Sequence, residues 1–273
     1  MNDFTEALTT PYPINAEQVA FFRKNGYIKL KQVLSPEVIE AYNVAITQQV
    51  QELNTLHLPM EERNTYQKAF LQVMNLWTKS EIVKTFVMSP RLGQIAADLL
   101  EVSGVRLYHD QALYKEPGGG ITPWHADQFY WPMSSDRTIT AWIPLQATPL
   151  EMGALAFAAS SHTVDLGRSL PISDESEKQI QTALQAHDFA YVETPYDLGE
   201  VSYHLGWTFH RAGANTSQHP RSVMTMIYMD ENMQLAQPAN ANQERDWHNW
   251  CPGAQVGQVI DTPLNPVTFS HQA

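Results

Sequence analysis

With 273 residues the chain is long enough to bury a sizeable core as one barrel-type domain. A formal net charge of −12 argues against nucleic acid or an anionic membrane surface as the main partner, since both call for basic patches, and leaves room for a small neutral or cationic ligand. The single cysteine, Cys251, excludes an intramolecular disulfide and points to a reducing, cytoplasmic setting. There is no apolar run of the ~18 residues needed to span a bilayer, and Asp3 and Glu6 stand where a secretory signal would be basic and then apolar. A soluble, unprocessed chain with no membrane partner is expected, and no feature speaks to its oligomeric state.

Residues 1–14 hold two prolines and little periodicity and read as a loose arm. Asn15 is placed to cap a short helix carrying Val19 and Phe22 inward, and Gly26 offers an αL stop. Tyr27 to Leu30 alternates like a strand. Ser35-Pro36-Glu37 is a helix start, serine as N-cap and proline at the first helical position, followed by one apolar stripe of Val38, Ile39, Tyr42, Ile46, Val50 and Leu53. Residues 66–100 read as more helix, including Leu92 to Leu100. Residues 1–103 are thus expected to be mainly helical.

After Gly104 the pattern changes to short β-branched and aromatic segments between Gly, Pro, Asn and Asp clusters. These are Val105 to Tyr114, Thr138 to Leu145, Ala154 to Ala158, Tyr191 to Glu193, Glu200 to His204, Trp207 to Arg211, Ser222 to Met229 and Pro266 to Phe269. Such strands following helices predict a mainly β fold with flanking α: a β-sandwich or squashed barrel over 104–273, with the N-terminal helices packed outside. The polar stretch Pro171 to His187, capped by Ser173, predicts a helix within a flap at about 163–190 over one barrel mouth. No linker or repeat divides the chain, so 1–273 reads as one domain.

His125 and Asp127 carry the chemistry. Residues i and i+2 of a strand leave the same face, so this imidazole and carboxylate can point at one metal ion and supply two ligands of a non-haem Fe(II) facial triad. A third ligand should lie far downstream. In Glu200 to Arg211, both His204 and His210 would share that face if the strand ran unbroken, although Gly206 is placed to bend it. His219, beside Pro220 in a turn-rich segment, is the weakest candidate.

The stretch His210-Arg211-Ala212-Gly213-Ala214-Asn215, with Arg221 eleven residues after the histidine, resembles the distal motif of the phytanoyl-CoA dioxygenase family of Fe(II)/2-oxoglutarate oxygenases. Phe22 to Leu30, Ala141 to Leu145 and Glu151 to Leu155 are similar to further segments of that family, so the likeness covers most of the chain. The resemblance implies a double-stranded β-helix, or jelly-roll, core of cupin-like type. It implies His210 as the third ligand and the set His125, Asp127 and His210 as the catalytic metal centre. It implies Arg221 as the grip on the distal carboxylate of 2-oxoglutarate, with Gln111 and Trp142 beside the co-substrate. It makes His162, in Ala-Ser-Ser-His, a turn residue or one packed behind the ligands rather than a ligand itself. The cofactors implied are Fe(II), 2-oxoglutarate as co-substrate and O₂.

Two departures bear on the chemistry. Ala212 stands two residues after the distal histidine, where the founding family member has a serine that contacts the co-substrate. Asp127 is retained where halogenating relatives have a small residue, which favours hydroxylation. Among the aromatics near the motifs (Tyr114, Trp124, Tyr203, Trp207, Phe209), Phe129, Tyr130 and Trp131 follow the triad aspartate directly and are expected, with His204, to line a substrate pocket. The expected activity is hydroxylation of an unactivated C–H bond of a small-molecule metabolite with release of succinate and CO₂. The alternative is a cupin-like metalloenzyme, or a metabolite-binding sandwich, that uses no keto acid and so needs no Arg221. A CoA thioester is disfavoured by the negative charge unless Lys115, Arg137 or Arg168 builds a basic mouth.

Overall fold

The computed structural model describes residues 4–272. Its helices are α1 (Thr5–Thr9), α2 (Ala16–Asn25), α3 (Pro36–Leu53), α4 (Thr65–Ala69), α5 (Glu81–Val87), α6 (Pro90–Leu100), α7 (Asp174–Ala186) and α8 (Ala241–Trp250). Its strands are β1 (Tyr27–Leu30), β2 (Leu71–Met74), β3 (Gly104–Lys115), β4 (Thr122–His125), β5 (Thr138–Pro144), β6 (Leu155–Ala158), β7 (Tyr191–Glu193), β8 (Val201–Leu205), β9 (His210–Ala212), β10 (Arg221–Asp230) and β11 (Val267–Ser270). They form two antiparallel sheets, a seven-stranded one in the order β1-β8-β5-β10-β3-β11 with β2 also paired to β3, and a four-stranded one in the order β4-β9-β6-β7. This is the expected jelly-roll core.

The large sheet is buried on both faces, and alternation sorts its side chains. On β5 and β8, Ile139, Ala141, Ile143, Val201 and Tyr203 turn outward into one apolar cluster with Ile39 and Ile46 of α3, Phe86 of α5 and Ile95 of α6. Thr140, Trp142 and His204 turn inward. Along β3 the phase flips at a bulge: Ile227 pairs with His109 and Tyr228 with Leu107, leaving Tyr108 as the extra residue. Leu107 before the bulge and Ala112 after it therefore both face the helices, while His109, Gln111 and Leu113 face the space between the sheets.

Several sequence expectations need correction. The part of the N-terminal arm within the described residues, from Phe4, is docked: Leu8 is buried, Ser89 Oγ donates to Leu8 O at 2.9 Å and Arg91 Nε to Thr10 O at 2.6 Å. Residues 1–3 lie outside the described residues. The 66–100 stretch is not continuous helix: β2 adds a strand to β3, with Leu71 opposite Tyr114 and Met74 opposite Gln111. The N-terminal part thus extends the large sheet as well as covering it. Trp207 to Arg211 is not one strand either. The chain turns at Gly206 and pairing resumes only at His210; a Cβ at Gly206 would run into Gln128, Thr138 and Trp131. The helix expected within the 163–190 segment is present as α7, capped by Ser173; it packs against β4, with Ile180 and Leu184 buried among Trp124, Ala126 and Phe209, and Pro171 and Ile172 just before it line the cavity.

Candidate metal and co-substrate site

His125 and His210 are cross-strand partners, at the end of β4 and the start of β9. Strand β4 ends at His125, and Asp127 opens a short 3₁₀ turn, so the carboxylate is aimed by that turn rather than by strand alternation. Ligand atoms of His125, Asp127 and His210, the set that the family resemblance implies, lie within 4.8 Å of one another and could hold one metal ion. Asp127 Oδ1 is 3.5 Å from His125 Nε2 and 3.7 Å from His210 Nε2.

Backbone carbonyls set the tautomers. His125 Nδ1 lies 2.8 Å from Pro123 O, and His210 Nδ1 lies 3.0 Å from Thr208 O. A carbonyl can only accept, so each Nδ1 carries the proton and each Nε2 presents its lone pair toward Asp127. Burial pulls both imidazoles down to about 4, keeping them neutral and available as ligands at neutral pH. Burial alone would raise the Asp127 carboxyl, but His210, His204 and His125 together hold it well below the ordinary carboxylate range. Two neutral imidazoles and one carboxylate, with room in the cavity beside them, suit Fe(II).

His204 lies on β8 in the opposite sheet. Its Nε2 is 3.4 Å from Asp127 Oδ2, and Thr140 Oγ1 donates to the same oxygen at 3.2 Å. Both approach Oδ2, whereas His125 and His210 approach Oδ1, although the His204 ring also lies 4.3 Å from that of His210. Both ring nitrogens of His204 are buried without a well-formed hydrogen bond. His219 is exposed at the surface and takes no part, and His162 sits in a turn with Nε2 at 3.1 Å from Arg23 O.

A cavity of about 500 Å³ opens beside the triad between the sheets. Arg221, at the head of β10, lines it, as do Gln111 and Trp142. Arg221 is 2 % exposed; its Nη1 donates to Gly153 O at 2.6 Å, its Nε has no partner, and it lies over the Trp142 ring at 5.5 Å from the centroid. No carboxylate among the described residues pairs with it, and burial pulls it down to about 10. A buried guanidinium facing a cavity with an unused donor suits a ligand carboxylate. Gly153 helps to place it: at φ +75 and with Gly213 O against the site of any Cβ, this position takes only glycine without strain.

Tyr130, Trp131 and His204 line the cavity as expected, but Phe129 does not; its ring is buried beside that of Tyr130, and its carbonyl accepts from Gln243 Nε2 at 3.2 Å. The basic mouth does not form. Lys115 is fully buried and donates to the carbonyls of Gly120 and Gly213, Arg137 pairs with Asp230, and Arg168 donates to His162 O; none of them lines the cavity. The sequence reading missed Tyr66, Gln72, His109, Thr225 and the whole inner face of α8, all of which line it.

Comparison with known proteins agrees with this geometry. The profile of the phytanoyl-CoA dioxygenase family matches residues 22–223. A probable alpha-ketoglutarate-dependent hypophosphite dioxygenase of Stutzerimonas stutzeri is 24% identical over 231 residues, covering 78% of each chain. A phytanoyl-CoA dioxygenase domain-containing protein 1 of Danio rerio is 25% identical over 169 residues, 58% of this chain and 56% of that one, so the chain matches little more than half of that relative. Among solved structures, the alpha ketoglutarate dependent carbocyclase SnoK from nogalamycin biosynthesis superposes with a TM-score of 0.76 at 24% identity, over 94% of this chain and 98% of that one. EctD from S. alaskensis, solved with 2-oxoglutarate and 5-hydroxyectoine, gives 0.72 at 21% identity, over 94% and 90%. With the profile covering most of its length, the chain belongs to the phytanoyl-CoA dioxygenase family, whose members are iron- and 2-oxoglutarate-dependent oxygenases.

Proposed function

We propose that the protein hydroxylates an unactivated C–H bond of a small-molecule metabolite, consuming O₂ and 2-oxoglutarate and releasing succinate and CO₂. The observation that carries this reading is Arg221, a buried, uncompensated guanidinium facing the same cavity as the His125, Asp127 and His210 cluster. A cupin-like metal site that used no keto acid would leave that charge buried without a partner, at a cost of several kcal/mol.

In this reading His125 and His210 offer Nε2 and Asp127 offers Oδ1 to Fe(II), while Thr140 and His204 engage the remaining Asp127 oxygen. Iron bound there would supply O₂ activation coupled to oxidative decarboxylation of the keto acid. Arg221 would hold the distal carboxylate of 2-oxoglutarate, with its guanidinium carbon 5.5 Å from the centroid of the Trp142 ring and Gln111 positioned by its bond from Gln72 Nε2, at 2.5 Å. Ala212 offers no hydroxyl at the cavity wall; Thr122 and Thr225, which also line it, are the nearest substitutes in kind. Tyr130, Trp131 and Trp250 would exclude water and set which carbon faces the metal. The single cysteine is buried, which is compatible with a cytoplasmic setting.

The test is a succinate-release screen of a metabolite library with Fe(II) and 2-oxoglutarate, followed by mass analysis. A product heavier by one oxygen, with one succinate per turnover, is expected. Failure of the purified protein to bind 2-oxoglutarate in the presence of metal would refute the reading.

A further inference from the structure

Helix α8 turns an unusual face to the cavity. Asn242, Arg245, Asp246, Asn249 and Trp250 follow a 0, 3, 4, 7, 8 spacing, which puts them on one side of the helix, and all five line the cavity. A helix laid over a core ordinarily turns its apolar face inward; this one turns amides and charges. Asp246 is only 8 % exposed, forms no ion pair among the described residues, and is held by neutral donors alone, the Trp250 side chain and, at a long 3.5 Å, Tyr108 Oη. On β3, lining the same cavity, His109 is 4 % exposed, and its Nδ1 is buried with no partner. The His109 ring lies 5.2 Å from that of Trp250.

The charges around the cavity can be assigned in turn. Asp127 faces the metal and Arg221 faces the co-substrate carboxylate. Arg245 is exposed at the rim, its Nη2 bonded to Asn242 Oδ1 at 2.9 Å. Asp246 is then the carboxyl left in the buried part of the lining, with neutral donors from Trp250 and Tyr108 but no ion-pair partner among the described residues. Burial pushes its carboxyl up to about 7, with Arg245 pulling it back. Such a group is stabilised by a cation or a strong donor and repels an anion. The faces of Trp250, Tyr130 and Tyr66 on the same cavity add surfaces suited to a cation.

We infer that this end of the cavity is a substrate subsite for a protonated amine, with Asp246 as the counter-ion, His109 as a second hydrogen-bonding group and Trp250 as the flat wall. The substrate is then a small amine-bearing metabolite, since about 500 Å³ must hold both it and the keto acid. This inference rests on the proposed oxygenase function and narrows its substrate class.

The experiment uses metal-loaded protein held anaerobically with 2-oxoglutarate. Lysine, agmatine, choline, xylitol and glutarate are titrated calorimetrically as probes of amine, guanidine, quaternary ammonium, polyol and dicarboxylate. Binding of lysine or agmatine, weakened about tenfold or more in Asp246→Asn, is expected. Arg245→Gln, on the exposed rim, should tighten the same probes, and it supplies the test should the Asp246 variant fold poorly. Titration of 2-oxoglutarate itself should be the same in all three proteins. Glutarate or xylitol binding in preference to every amine, or amine binding indifferent to both substitutions, would overturn the subsite. So would the absence of any amine binding by protein that does bind 2-oxoglutarate. Wild-type protein that fails to bind 2-oxoglutarate would instead overturn the oxygenase reading.

Discussion

Arg221→Ala separates co-substrate binding from folding. The side chain is 2 % exposed, and its hydrogen bond to the neutral carbonyl Gly153 O, at 2.6 Å, leaves the charge uncompensated. Its acidity, drawn from the usual guanidinium value to about 10, corresponds to roughly 3 kcal/mol of unfavourable burial that a bound carboxylate would relieve. Truncation of one partner of a desolvated, charge-assisted pair costs ~2–5 kcal/mol. The two figures agree at about 3 kcal/mol, or on the order of a hundredfold in 2-oxoglutarate affinity. The metal-free, ligand-free variant should be little destabilised, because an uncompensated buried charge leaves together with the packing of its stem. The assay is a pair of measurements: calorimetric titration of 2-oxoglutarate into metal-loaded protein, and the thermal midpoint with and without it. The midpoint of unliganded protein should shift little, while the stabilisation by 2-oxoglutarate should vanish. Arg221→Lys should recover part of the affinity, since an ammonium lacks the fork that meets both carboxylate oxygens. An Ala variant that binds 2-oxoglutarate as wild type does would refute the assignment. One that simply unfolds would show that the charge is structural instead.

The third ligand is tested by comparing His204→Gln with His210→Gln: metal affinity should fall by a hundredfold or so in the second and by only about threefold in the first, and the reverse order, read by competition with a chelator, would exchange their roles. Asp127→Ala should abolish hydroxylation and greatly weaken metal binding, since it removes the only anionic ligand of the cluster; a variant hydroxylating near the wild-type rate would exclude the carboxylate from the centre. The buried imidazoles also predict a pH dependence. His210 is held at about 4 in the folded chain but takes a proton near 6.5 when unfolded. Its neutral form therefore contributes fully above pH 6.5, and that contribution is lost as the pH falls through 4. Asp110 and Asp246, both held near 7, work in the opposite direction, so the informative quantity is a difference. The gap in urea midpoint between metal-free wild type and His210→Gln should change between pH 6.5 and 4 in the direction that disfavours wild type at acid pH, and a constant gap would contradict the buried neutral state.

What could be read from the residues, and what could not, follows from where each kind of signal comes from. Strands β5, β8 and β10 were legible because one face of each meets the helices and must be apolar at every second position. The grouping of His125, Asp127 and His210 was legible because the first two are neighbours in sequence, and His210 with Arg221 sits in a motif that resembles the family's. The reason given for the first pair was only half right, since the 3₁₀ turn at Asp127 aims the carboxylate. Strand β2 was lost inside an expected helix because Leu71 to Met74 is held by pairing with β3, a contact some forty residues distant that leaves no local periodicity. The phase flip at Tyr108 is likewise a property of the ladder, so His109 could not be assigned to the cavity by counting along β3. Helix α8 is the most instructive loss. Its capping signal was present, Asn240 accepting from the amides of Asn242 and Gln243, but its inward face is polar, and a search for an apolar stripe passes over it. Hydrophobic periodicity finds helices that bury their face against a core. A helix whose face is turned to a ligand instead carries the ligand's chemistry, and for that reason the segment least visible in the sequence is the one that says most about the substrate.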